Sequence, residues 1–168
     1  MAGQAPGPRG QHFLRPDVAR RFVARAGVGP ADLVLDLGAG TGTLTALLAP
    51  RAGLVVAVER DPRLARRLRR RFASTPNVSV HERDIAAVWL PRRPFRVVAN
   101  VPFAGSNALI RRLLDPRVPL RQADLVVARG VALAWVQRSP RCALVCGLAA
   151  SSFVPAPSGD AAVLRIRR

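Results

Sequence analysis

Four consecutive residues, Asn100-Val101-Pro102-Phe103, carry the sharpest chemical signal in the chain. The exocyclic amine of a purine is a poor nucleophile, because its lone pair is delocalised into the ring. An Asn side-chain oxygen and the carbonyl of a residue locked by the following Pro can both accept hydrogen bonds from such an amine. Together they draw the nitrogen out of conjugation and fix its direction of attack. Phe103 offers a face on which a turned-out base can stack, worth roughly 1–3 kcal/mol. The chemistry that suits this group is displacement at an activated methyl carbon. No general base of tuned pKa is needed, since the amine proton becomes acidic only after alkylation.

A second constellation precedes it. The run Asp36-Leu37-Gly38-Ala39-Gly40-Thr41-Gly42 follows an apolar stretch, and a glycine turn between strand and helix lets a ligand approach the backbone closely. Dinucleotide-binding proteins use a related GxGxxG turn, but the GxGxG spacing here favours a nucleoside over a pyrophosphate. The chain holds only two glutamates, and one of them, Glu59, ends the next apolar run about twenty residues on. From there a carboxylate can accept hydrogen bonds from both ribose hydroxyls. In the same way Asp84 could bond an adenine amino group while Ile85 packs on the ring, although Asp84 could equally pair with neighbouring arginines.

These residues need a scaffold that gathers them at one edge, and the pattern supplies one. Apolar runs alternate with helical patterns, the signature of a parallel sheet wound with helices. Helices are predicted over about Pro16–Ala26, from the glycine turn to Leu48, over Asp61–Phe72 and over Ser106–Leu114, the last with Ser106 as N-cap. Strands are predicted at Leu33–Leu37, Leu54–Val58, Asn77–His81, Phe95–Val101, Ala123–Ala128, Ala143–Ala150 and Ala161–Ile166. The last two can pair through the Pro155/Pro157/Gly159 turn. Gly130 to Arg141 gives no clear reading. Residues 1–10 read as a disordered, weakly basic arm, and residues 11–168 as one catalytic domain.

Twenty-seven basic residues, all of them Arg, oppose 10 acids, a net charge of +17. Nucleotide bias in the source genome explains Arg in place of Lys but not the excess over acids, so the balance points to a polyanionic partner. Cys142 and Cys146 make neither a disulfide framework nor a zinc site. No apolar run reaches the length of a membrane span, and there is no signal core. The expectation is a soluble, cytoplasmic protein with no metal and no membrane partner.

With these motifs in place the chain resembles the ribosomal RNA adenine N6-methyltransferases, both the erythromycin-resistance enzymes and the small-subunit dimethyltransferases. The resemblance runs from Gly10-Gln11-His12-Phe13-Leu14 through the glycine turn, Glu59, Asp84 and Asn100-Val101-Pro102-Phe103 to Phe153-Val154-Pro155-Ala156-Pro157. It implies a Rossmann-like α/β methyltransferase fold, a seven-stranded mixed sheet of order 3-2-1-4-5-7-6 with helices on both faces. It also implies S-adenosylmethionine as cofactor and S-adenosylhomocysteine as product. Gln11, His12 and Leu14 would lie over the methionine end of that cofactor, Gly38, Ala39 and Gly40 beneath it, Glu59 and Arg60 by the ribose, and Asp84 and Ile85 at the adenine. Asn100, Pro102 and Phe103 would handle the target base, with Asn100 also touching the cofactor. The family usually has Asn where His12 stands. It also adds a C-terminal helical domain after the catalytic one, whereas this sequence stops at Arg168 and in that looks either like the short mycobacterial resistance type or like a truncated piece of a longer enzyme.

The expected reaction is therefore methylation of adenine N6 in 23S ribosomal RNA by a monomer that meets the ribosome transiently, giving macrolide-lincosamide-streptogramin resistance. Maturation of 16S RNA, methylation of DNA adenine, and a non-catalytic RNA-binding relative are the competing readings. The arginines crowding residues 63–71 read as a solvated face with general RNA attraction. Arg92, Arg93, Arg111 and Arg112, flanking the Asn100 turn in sequence, are the expected phosphate contacts.

Overall fold

The computed structural model describes residues 11–168, so the arm expected over residues 1–10 lies outside the described residues. In chain order the elements are β1 (Phe13–Leu14), α1 (Pro16–Ala26), β2 (Leu33–Leu37), α2 (Thr43–Leu48), β3 (Leu54–Glu59), α3 (Pro62–Arg71), β4 (Val78–Glu82), β5 (Phe95–Asn100), α4 (Ser106–Leu113), β6 (Leu120–Ala128), α5 (Arg129–Arg138), β7 (Cys142–Leu148), β8 (Phe153–Val154) and β9 (Ala161–Arg167). Seven strands form one sheet of order β4-β3-β2-β5-β6-β9-β7. Strand β9 runs antiparallel to both neighbours, β6 and β7. With the two-residue strands β1 and β8 set aside, this is the expected order 3-2-1-4-5-7-6.

Both faces of the sheet are covered, which is why its central strands read as predominantly apolar runs. Alternate residues divide between two cores. Leu35, Val97 and Leu125 pack with Leu109, Ile110 and Leu113 of α4 and Trp135 of α5. Val34, Val98 and Val126 pack with Val18, Phe22 and Val23 of α1 and Leu44 and Leu48 of α2. Helix α3 joins the α1 side, with Leu68 against Ala57. Pro16 opens α1, and Gly27, left-handed at φ 64°, closes it.

Three features depart from the sequence reading. Helix α5 occupies the unread stretch. Ser106 is inside α4 rather than its cap; Gly105 holds the cap position, and the Ser106 hydroxyl donates to the Phe103 carbonyl at 2.9 Å. Strands β1 and β8 form a separate antiparallel pair, Phe13 opposite Val154 and Leu14 opposite Phe153. That pair brings the segment around His12 across the sheet's carboxyl edge. Among the described residues no helix is long and apolar enough to cross a membrane.

Candidate active site

The strand order reverses direction between β2 and β5, and open α/β sheets bind ligands in the crevice at such a point. A cavity of about 520 Å³ lies there, within the usual size for a small-molecule site. Its centre is formed by Gly38 and Gly40 beyond β2, by Asn100 at the end of β5 and by Pro102 and Phe103 after it. Glu59, Arg60, Asp84 and Ile85 line the side beyond β3 and β4, while Gln11 and His12 close it from above.

The glycine turn is a cradle that side chains would obstruct. Gly38 and Gly40 have φ of 81° and 56°, a region L-residues enter only with strain. A Cβ on Gly40 would come within 2.8 Å of the Phe13 ring, and one on Gly38 within 3.3 Å of the Pro102 ring and 3.4 Å of Ile85. Glu59 is buried at 5% exposure. One carboxylate oxygen accepts from the Gly40 N–H at 2.8 Å and the other from the Asp61 N–H at 2.9 Å. Each oxygen keeps acceptor capacity for one further donor from the cavity. Asp84 accepts from the Ala86 N–H at 2.8 Å and meets Arg60 at 3.7 Å across the mouth. A flat, bare floor with a buried acceptor pair midway and a second carboxylate at one end fits an adenosine.

The Asn100 amide is oriented by its surroundings. Its Nδ2 donates to the His12 carbonyl at 2.7 Å; a carbonyl can only accept, so Oδ1 is the end left free as an acceptor. Phe103 stands beside it, and the His12 ring stacks on Phe103 at a centroid distance of 6.0 Å.

Several expected residues lie elsewhere. Leu14 is 7% exposed and packs in the α1 core rather than over the cavity. Ala39 is buried with its N–H donating to Val58, so its neighbours and not it face the cradle. Arg92 and Arg93 precede β5, whereas Asn100 ends it; six residues of strand put the two ends about 17 Å apart. The Arg112 guanidinium, expected on phosphate, instead donates to the carbonyls of Ile85, Ala86 and Val88 and braces the loop after β4. Arg96 is paired with Asp32 at 3.0 Å, and Arg117 with Asp115 at 2.7 Å. Arg111 is exposed on α4. The sequence reading also passed over Phe13, Ala108 and Leu109, which line the cavity. Phe13 carried a signal, as it sits inside the quoted Gln11-His12-Phe13-Leu14 run; the α4 residues carried none beyond helical periodicity.

Behind the cradle, Asp36 is 1% exposed and accepts from the Thr45 hydroxyl at 2.6 Å through one oxygen only. Burial pushes its carboxyl up to about 7, the Thr45 hydrogen bond opposing and the Glu59 charge adding. Between about pH 4 and 7 the unfolded chain releases this proton while the folded chain keeps it. The stability tied to Asp36 is therefore complete below that window and lost as the pH rises through it. Asp36→Asn is expected to remove this slope, so that the variant gains melting temperature relative to the parent chain as pH rises from 5 to 8. A constant offset across the range would refute the assignment.

An open sheet with this strand order, one antiparallel strand inserted next to the last and a nucleoside-shaped cradle at the reversal point, defines the Rossmann-like fold of S-adenosylmethionine-dependent methyltransferases. Residues 8–168 match the family described as ribosomal RNA adenine dimethylase, and the chain belongs to that family. It is 31% identical over 180 residues to an rRNA adenine N-6-methyltransferase of Bacillus licheniformis, covering 99% of this chain and 63% of that one. It is 40% identical over 144 residues to the ribosomal RNA small subunit methyltransferase A of Rubrobacter xylanophilus, covering 82% and 55%. Among solved structures, the 23S rRNA methyltransferase ErmE superposes with a TM-score of 0.84 at 30% identity over 93% of this chain and 69% of that one. The chain thus spans somewhat more than half the length of the curated relatives it matches.

Proposed function

We propose that the chain transfers a methyl group from S-adenosylmethionine to N6 of an adenine in 23S ribosomal RNA, protecting the ribosome from macrolide-lincosamide-streptogramin antibiotics. The observation that carries the reading is the Asn100 amide, its Nδ2 bonded to His12 and its Oδ1 open beside Phe103, across the same cavity from Glu59. Gly38 and Gly40 would lie beneath the cofactor, Glu59 would accept from the ribose hydroxyls, and Asp84 and Ile85 would hold the adenine. Bound there, S-adenosylmethionine supplies a methyl carbon on a positively charged sulfur.

The chain's own residues do the rest. Phe103 holds the turned-out base by its face. Asn100 Oδ1 and the carbonyl before Pro102 accept from the target amine, concentrating its lone pair on nitrogen and aiming it into the cavity. The apolar walls, Val101 and Leu109 among them, exclude water from the reacting atoms. Arg60, at the cavity, and Arg111, exposed on α4, are the candidate phosphate contacts. Arg92 and Arg93, close in sequence to the exposed Trp89, are candidates for RNA farther out.

Likeness to the solved 23S rRNA methyltransferase supports 23S RNA; the identity to the Rubrobacter small-subunit enzyme supports 16S RNA as a second reading. Incubation with labelled methyl donor and separately purified 23S and 16S RNA, followed by mapping of the modified base, decides. Label at adenine N6 in 23S RNA alone upholds the first reading, label in 16S RNA alone moves the assignment to the second, and no label in either overturns both. RNA affinity is expected to fall about a thousandfold between 50 and 200 mM salt if six or more arginines meet phosphates. A nearly salt-independent affinity would contradict a phosphate-based grip.

A further inference from the structure

Among the described residues three aromatic side chains line the cavity: His12, Phe13 and Phe103. Phe13 covers the glycine turn, where a Cβ on Gly40 would strike it. The His12 ring faces Phe103 instead, with centroids 6.0 Å apart and planes inclined by 30°. That ring is anchored by a 2.9 Å hydrogen bond between Nδ1 and the Pro155 carbonyl. The His12 carbonyl receives the Asn100 amide at 2.7 Å. One residue is therefore joined to the acceptor of the target amine through its backbone and set against the stacking platform through its side chain. Phe153, the aromatic of the Phe153-Val154-Pro155 segment, is 2% exposed and cannot serve as a wall.

We infer that His12 is the second wall of the base slot, and that the target adenine is stacked between its imidazole and Phe103. The inference rests on the function proposed above. Two ring-to-ring contacts of about 3.5 Å each need about 7 Å between the two faces, so the rings, now in direct contact with centroids 6.0 Å apart, must part to admit a purine. A base turned out of its helix is commonly held between aromatic or apolar side chains, and a slot closed on both faces fixes the tilt of the amine as well as its position. Because the Asn100 side chain is tethered to the backbone of the same residue, the wall and the amine acceptor keep a fixed relation as the slot fills. His12 is then a positioning residue for the base, not a part of the cofactor's cradle.

The test compares three variants of the full chain on the RNA whose adenine the mapping has located, with cofactor affinity measured separately by calorimetry. His12→Phe keeps a ring and should retain kcat/KM for RNA within a few-fold. His12→Ala and His12→Asn lack a ring and should lose about tenfold or more, Asn included although it can still bond the Pro155 carbonyl. Cofactor Kd should stay within about twofold in all three. An RNA hairpin carrying 2-aminopurine at the mapped adenine should fluoresce more brightly with His12→Ala than with the parent chain, because one quenching stack is gone. In the Phe103→Ala background, His12→Ala should add little, since a one-walled slot is already lost.

Equal activity of His12→Asn and His12→Phe, losses that multiply in the double variant, or a rise in cofactor Kd that matches the fall in turnover would each overturn the inference alone. A parent chain that methylates no adenine would overturn it together with the reading it rests on.

Discussion

Asn100→Ala is expected to lower turnover about 100- to 1000-fold, the usual size of losing one aligned hydrogen-bonding group at a reacting centre, while the cofactor still binds. The reason lies in the two ends of one amide. Oδ1 is the free acceptor in the cavity, and Nδ2 holds the His12 carbonyl at 2.7 Å. Alanine removes both. Asn100→Asp separates them: it keeps acceptor oxygens but cannot donate, and its charge would repel the His12 carbonyl. If the tether matters, Asp should be nearly as slow as Ala; if only the acceptor matters, Asp should recover much of the activity. Single-turnover methylation with saturating cofactor reads the chemical step, and calorimetry reads the cofactor separately. Turnover of Asn100→Ala within fivefold of the parent chain would remove the amide from the mechanism.

Most of the sheet was legible because its strands obey a simple physical rule. A strand buried on both faces is a largely apolar run, and Leu33–Leu37, Leu54–Glu59 and Phe95–Asn100 have that form, interrupted only by Asp36 and Arg96 and ended by Glu59 and Asn100. Helix α5 was not legible, for an equally physical reason. From Val131 to Val136 every residue is apolar, so no single stripe stands out, and the helix has no side-chain cap to mark its start. Only Ala132 and Trp135 are buried, while Leu133 is 42% exposed. Strands β1 and β8 are two residues each and pair across about 140 positions. Local pattern says nothing about a contact of that kind, yet it is the contact that brings His12 over the cavity.

The site was legible where a residue ends a strand and illegible where it only neighbours one in sequence. Gly38, Glu59, Asp84 and Asn100 meet because parallel strands present their carboxyl ends at one edge, a consequence of topology alone. The arginines follow the opposite logic. Arg92 and Arg93 are a few residues from Asn100, but the intervening strand carries them to the other edge. Arg112 follows the same turn, yet its planar fork binds three carbonyls of the loop at Ile85–Val88. Charge in a sequence shows that a polyanion is attracted; which guanidinium groups remain free to meet it depends on the carbonyls and carboxylates that folding brings near.

Glu59→Gln is expected to weaken cofactor binding about 100-fold and to lower stability as well, two effects with one cause. The carboxylate accepts from Gly40 N–H through one oxygen and from Asp61 N–H through the other, at 2.8 and 2.9 Å. A glutamine of the same shape offers one oxygen and one NH2. Whichever way its amide turns, one backbone N–H then faces another donor and loses its partner in a buried setting, at a cost of about 1–3 kcal/mol. For a chain of this size that is a fall of several degrees in melting temperature. The turn that presents Gly40 is loosened at the same time, and one of the two acceptors offered to the ribose hydroxyls is gone. Titration calorimetry with S-adenosylhomocysteine and thermal melts of the free chain separate the two parts. Lower stability with unchanged affinity would reduce Glu59 to a brace for the glycine turn. Unchanged stability with lost affinity would mean that its backbone hydrogen bonds contribute nothing to the fold, contrary to their geometry.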